Sequence, residues 1–92
     1  MDTNTVYVQI NIGRGDLTDY EWVAFQEDVV FHLKHSAQRR DVQVETHTTE
    51  ESAHISALVY RPALDGLRAV LRSIKHRYRQ DAIALIVGSE LI

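Results

Sequence analysis

The chain has no cysteine, a single proline and no long apolar run. Without cysteine there are no disulfides, no thiolate metal sites and no cysteine nucleophile. The longest unbroken apolar segment, residues 82–87, is far short of the ~18 residues needed to span a bilayer. Met1-Asp2-Thr3-Asn4 is polar and acidic, so no signal peptide is expected there. The chain contains no Gly-x-Ser-x-Gly, P-loop or Rossmann fingerprint, and Ser36, Ser52, Ser56, Ser73 and Ser89 have no triad context. Repeats, low-complexity segments and Gly/Ser linkers are missing too, which leaves residues 1–92 as one domain. That length exceeds the ~40 residues below which a fold usually needs staples. A soluble, cytoplasmic protein is expected.

The net charge is -3, and it is unevenly spread. Residues 1–60 carry four Lys/Arg against ten Asp/Glu, whereas residues 61–92 carry six against three. A small domain with an acidic and a basic region can pair them internally or use them to direct partners.

Hydrophobic periodicity places the elements. In Thr5–Ile12, Val6, Val8, Ile10 and Ile12 alternate with Tyr7, Gln9 and Asn11, the pattern of a half-buried strand. Gly13-Arg14-Gly15-Asp16 reads as a turn, and its adhesion-like Arg-Gly-Asp tripeptide is taken as part of that turn. Thr18 and Glu21 form a capping box. It opens a helix expected over residues 19–38, with Trp22, Phe25, Val29, Leu33 and Ala37 as the buried stripe and Val30 beside it. Val23 and Phe31 fall off this stripe, so a second covered face is expected. Residues 42–47 alternate again, with Val42, Val44 and Thr46 inward. The polar run 48–52 is a hairpin loop, and residues 53–60 form a third strand with Ile55, Ala57 and Val59 inward. Pairing Thr46 with Ile55 sets His47 opposite His54 and Glu45 opposite Ser56. Pro62 ends that strand. Asp65 is the expected N-cap of a second helix, with a stripe of Leu67, Val70, Leu71, Ile74 and Tyr78 that Asp81 interrupts. Residues 82–87 form a last strand, apolar on both faces.

The order βαββαβ is the ferredoxin-like, split-βαβ signature of an α+β domain. A four-stranded antiparallel sheet in the order 4-1-3-2 is expected, with two helices on one face. The other face is left open. Tyr7, Gln9, Asn11, Leu58 and Tyr60 lie on it, and they form the candidate partner-binding set because their apolar members are too many to leave to water. Self-association, a different protein and single-stranded RNA compete for this face. RNA-recognition domains of this fold stack bases on the same two central strands. Here the RNP1 pattern is absent, Glu45 lies on the face and the net charge is negative.

Arg68, Arg72, Lys75 and Arg79, at i, i+4, i+7 and i+11, line one edge of the second helix and form a candidate anion or nucleic-acid site. Glu21, Glu27 and Asp28 on the first helix can neutralise some of this charge. Asp28, His32 and His35 share a helical face, and His47 and His54 form a pair at the hairpin. Neither set matches a metal-site pattern, and no metal or cofactor is expected.

The stretch Tyr7-Val8-Gln9-Ile10-Asn11-Ile12-Gly13-Arg14, taken with Thr18-Asp19-Tyr20-Glu21-Trp22-Val23-Ala24-Phe25, resembles small accessory proteins encoded by actinobacteriophages. The resemblance covers the first third of the chain and, more loosely, the closing strand. It implies a product that binds a host protein and can stop host growth, and it carries over no site residue. The leading expectation is therefore a non-enzymatic, homodimeric interaction module with a host protein as target, acting in the host cytoplasm if phage-encoded. The alternatives are a nucleic-acid-binding protein using the basic second helix and a small dimeric α+β-barrel enzyme.

Overall fold

The computed structural model describes residues 5–37 and 44–88. The elements are β1 (Thr5–Gly13), α1 (Asp19–Ala37), β2 (Glu45–Thr48), β3 (Ser52–Tyr60), a short 3-10 turn (Arg61–Ala63), α2 (Leu64–Arg77) and β4 (Ala84–Gly88). All strand pairs are antiparallel, and the four strands lie in the order β2-β3-β1-β4. A sheet has no first edge; counted from β4, the same row of neighbours reads 4-1-3-2. This α+β architecture is compatible with a ferredoxin-like fold.

The alternation in β1 determines the core. Val6, Val8, Ile10 and Ile12 are buried, as are Ala53, Ile55, Ala57 and Val59 on β3. Against this face α1 packs Trp22, Phe25, Val29 and Leu33, and α2 packs Leu64, Leu67, Leu71 and Ile74. The capping box closes at both ends. The Glu21 amide donates to Thr18 Oγ1 at 3.1 Å, and the Thr18 amide donates to Glu21 Oε1 at 3.2 Å. The β2–β3 register matches the expected one, with Thr46 opposite Ile55, His47 opposite His54 and Glu45 opposite Ser56. Thr48 Oγ1 donates to Gln26 Oε1 at 2.8 Å, tying the hairpin to α1.

Several expectations are corrected. Thr46 lies on the helix side of the sheet, opposite buried Ile55, but all of β2 is exposed and nothing among the described residues covers it. It belongs to an edge strand paired only with β3, while the buried helix stripes lie over β1 and β3. Val44 precedes the strand and packs on the core's margin. Val42, Gln43 and Gln38, and the side chain of Ala37, lie outside the described residues. Of the two covers expected for Val23 and Phe31, a loop or another subunit, the loop is not seen among the described residues, and each is more than half exposed in the single chain. The Phe31 ring packs instead against His35 and His32 on its own helix. Asp65 is not the N-cap of α2. The 3-10 turn begins at Arg61, with Pro62 in its first turn, and runs directly into α2, so Ala63 holds the cap position and Asp65 falls inside the first turn. Its carboxylate still complements the positive helix end there. The last strand spans Ala84–Gly88, not residues 82–87.

α2 ends at Arg77, before Asp81. The Gln80 amide donates to the Lys75 carbonyl at 2.9 Å and the Arg79 amide to the His76 carbonyl at 3.2 Å, which is a Schellman motif. Arg79 occupies its left-handed position with φ 55, where glycine is the usual residue. Replacing Arg79 with glycine should relieve about 1 kcal/mol of backbone strain at the expense of an exposed ion pair, so a rise in thermal midpoint is expected. A fall would show that the Arg79–Glu21 pair outweighs the strain.

Candidate protein-contact face

The face of the sheet away from the helices is built by register. On the central strands Tyr7 lies opposite Leu58, Gln9 opposite Ser56 and Asn11 opposite His54. β4 adds Gly88, Ile86 and Ala84 opposite Tyr7, Gln9 and Asn11. β2 adds Glu45 and His47 opposite Ser56 and His54. The face therefore has two zones. One end is apolar, with Tyr7 37% exposed, Leu58 53% and Ile86 50%, and with half-buried Tyr60 beside them. The other end is polar.

The polar end is ordered by Asn11. Its Oδ1 accepts from His54 Nδ1 at 2.6 Å and from Gln9 Nε2 at 2.9 Å. The Asn11 oxygen only accepts, so the contact with His54 is a hydrogen bond in the tautomer that carries its hydrogen on Nδ1. Gln9 Nε2 and His54 Nδ1 lie 3.4 Å apart, and in that tautomer both donate to the same oxygen. The two central strands, β1 and β3, are thus linked through side chains at the polar end of the face.

All five expected face residues, Tyr7, Gln9, Asn11, Leu58 and Tyr60, come together here. Ile86 belongs with them and was missed, because β4 is apolar at both parities. A signal existed: whichever parity faces out, an aliphatic side chain joins the patch.

The basic set on the second helix does not stay together. Arg68, Arg72 and Lys75 line a groove of about 360 Å³ between α2 and β4. Arg79 is not with them. It lies beyond the helix end, turned by its left-handed backbone, and donates to Glu21 at 2.9 Å. That bond, then the Thr18 amide, holds the Glu21 carboxyl below its ordinary range. Arg77 donates to Asp28 at 3.1 Å. The acidic first helix therefore neutralises the last turn of α2, as its charge suggested. Arg68 pairs with Asp65 at 3.1 Å, while Arg72 and Lys75 have no ion-pair partner among the described residues.

Asp28 is also committed to Tyr78, whose hydroxyl donates to it at 2.6 Å. This removes it from the Asp28, His32, His35 face as a free ligand. Among the described residues no group of three or more potential ligands is placed to hold a metal. In the Arg14-Gly15-Asp16 turn, Gly15 has φ 56, and Arg14 is drawn onto Asp19 and the Leu17 carbonyl. No described helix is long and apolar enough to cross a membrane.

The architecture defines the class: an α+β domain of four antiparallel strands backed by two helices. No protein-family model and no curated protein matches the chain. Among solved structures it is similar to a de novo designed protein, Foldit4, at 14% identity and a TM-score of 0.59, over 95% of this chain and 97% of that one. At that identity the likeness concerns the fold alone.

Proposed function

We propose that the chain is a non-enzymatic protein-binding module and that the open sheet face makes the contact, first with a second copy of itself. The observation that supports this reading is the exposed cluster of Tyr7, Leu58 and Ile86 on neighbouring strands. These side chains sit on a rigid sheet with a polar rim at one end, the anatomy of a contact surface. A two-fold stack of two such faces buries the same residues from both copies. The finer reading is a phage accessory protein that binds a host protein in the host cytoplasm and inhibits growth. Its support is the resemblance of residues 7–14 and 18–25 to such proteins.

Sedimentation equilibrium tests the self-contact. The wild-type chain is expected to dimerise, and Leu58→Glu to weaken the dimer by about 100-fold, in the range of a central contact replaced by a buried charge. Leu58 is exposed, so the variant keeps its fold. A wild-type chain that stays monomeric at high concentration removes the self-contact. A host partner is then tested by comparing recovery on wild-type and Leu58→Glu baits; equal recovery of every partner places the contact elsewhere.

Nucleic-acid binding by the second helix has one observation in its favour, that Arg72 and Lys75 have no ion-pair partner among the described residues. It has less support than the sheet face because the set of four cations is not assembled. The α+β-barrel enzyme needs a cavity between sheet and helices. That layer is filled by side chains such as Phe25, Leu33 and Leu67, each at 0% exposure.

A further inference from the structure

The two edges of the sheet are built differently. β2 is the sequence Glu45-Thr46-His47-Thr48, wholly polar and exposed. Short, polar, charged edges of this kind resist pairing with another chain. β4 is Ala84-Leu85-Ile86-Val87-Gly88, with no charge and no proline. One side of β4 pairs with β1, and no other described strand pairs with its outer side. Alternate residues of such an edge direct amide and carbonyl groups outward. Nothing in the sequence of β4 protects it as β2 is protected.

The groove between α2 and β4 lies along this edge. Leu71, Ile83 and Leu85 make an apolar floor, and Arg68, Arg72 and Lys75 make a cationic wall. Asp81 is the one carboxylate among the described residues that line the same groove. The cations of α2 divide by direction. Arg77 at the α1 side, and Arg79 just past the helix end, are matched by Asp28 and Glu21, while Arg72 and Lys75 at the β4 side have no ion-pair partner among the described residues. An unprotected apolar edge and a basic wall on which two of three cations lack an ion-pair partner among the described residues thus meet at one place.

We propose that this place is a strand-addition site for an extended segment of another protein in which acidic and apolar residues alternate. A strand added to β4 has side chains pointing alternately to the two sheet faces. On the helix side they meet the cationic wall, which selects carboxylates. On the other side they extend the apolar patch at Ile86, which selects aliphatic or aromatic residues. A second copy's β4 is a poor occupant. Antiparallel pairing about a two-fold sets the two α2 walls side by side, and like charges oppose it. A single-stranded nucleic acid uses the cations but not the edge, and the groove offers no aromatic side chain on which a base could stack. This site shares Ile86 with the sheet-face patch but does not require the Tyr7–Leu58 contact.

The test uses the full chain and three short labelled peptides. One alternates Glu with Val, one has the same composition in two blocks, and one alternates Lys with Val. Fluorescence anisotropy and amide hydrogen exchange are the readouts. The Glu/Val alternating peptide is expected to bind at least about tenfold more tightly than either control, to weaken as salt rises, and to slow exchange of outward amides in β4. The double variant Arg72→Glu, Lys75→Glu, on an accessible helix flank, should lose that binding, while Leu58→Glu should keep it. Equal binding of the alternating and block peptides overturns the proposal. So does peptide binding that leaves β4 exchange unchanged, or a single-stranded oligonucleotide that binds where no peptide does.

Discussion

Phe25→Ala should destabilise the domain by about 3–5 kcal/mol, the range for emptying a large aromatic site in a core. Phe25 is at 0% exposure. Its ring stacks on Tyr78 at 4.9 Å between centroids and meets the edge of Trp22 at 6.1 Å. It therefore joins α1 to the residue that caps α2, and its loss removes both transfer energy and ring contacts. Domains of this size have about 5–15 kcal/mol in total, so the variant should sit close to unfolding at room temperature. Urea denaturation checks this: the midpoint should fall sharply with the slope unchanged. Phe31→Ala is the internal control. That ring is more than half exposed, and its removal should change stability by less than about 0.5 kcal/mol. Similar losses for the two variants would contradict the core described above.

The second large effect is alkaline. Burial, then the hydrogen bond to the Asp28 carboxylate, pushes the Tyr78 hydroxyl up from 10.0 to about 12. The proton is thus held more tightly in the folded chain than in the unfolded one. The stability this supplies is fully present below about pH 10 and is lost as pH rises toward about 12. Two units correspond to about 2–3 kcal/mol. The Tyr78 residue is 9% exposed, but the Asp28 side chain it donates to is 31% exposed, so solvent screening cuts this to about 1–2 kcal/mol. Other groups titrate in the same range, and the difference between wild type and Tyr78→Phe isolates this one. At neutral pH Tyr78→Phe should cost about 1–2 kcal/mol, the loss of a hydrogen bond to a charged group partly offset by Arg77, which remains on Asp28. Above pH 10 the gap between the two proteins should close. Parallel stability curves from pH 9 to 12 would contradict the assignment.

Much of this architecture is legible in the chain because it depends on local period and local chemistry. The alternation of Val6, Val8, Ile10 and Ile12, the Thr18/Glu21 capping box and the hairpin register around Thr46 all need only neighbours in sequence. The misreadings share a different cause. Thr46 has the parity of an inward residue, but whether anything covers it depends on where the helices end over the sheet. Asp65 has the chemistry of an N-cap, but a helical turn had already begun upstream at Arg61. Arg79 has the spacing of the basic stripe, but the helix stops at Arg77 and a non-glycine residue takes the left-handed position.

The same division holds at the surface. Tyr7, Gln9, Asn11, Leu58 and Tyr60 follow from strand parity alone. Ile86 does not, because an apolar run with both parities filled does not state which side faces out. The Gln9, Asn11, His54 link requires the β1–β3 register, which no local pattern specifies. The groove at Arg72 and Lys75 requires α2 to lie beside β4 and the end of α2 to be matched by α1. Those are tertiary facts, and they separate the unmatched cations from the matched ones.

Amide chemical shifts recorded across a dilution series test the central claim, the sheet-face contact, most directly. If the open face makes the self-contact, dilution should move the amides around Tyr7, Gln9, Leu58 and Ile86 together, along one binding curve, while α1 and α2 stay fixed. Shifts that are independent of concentration, or confined to the outer edge of β4 and to α2, would contradict it.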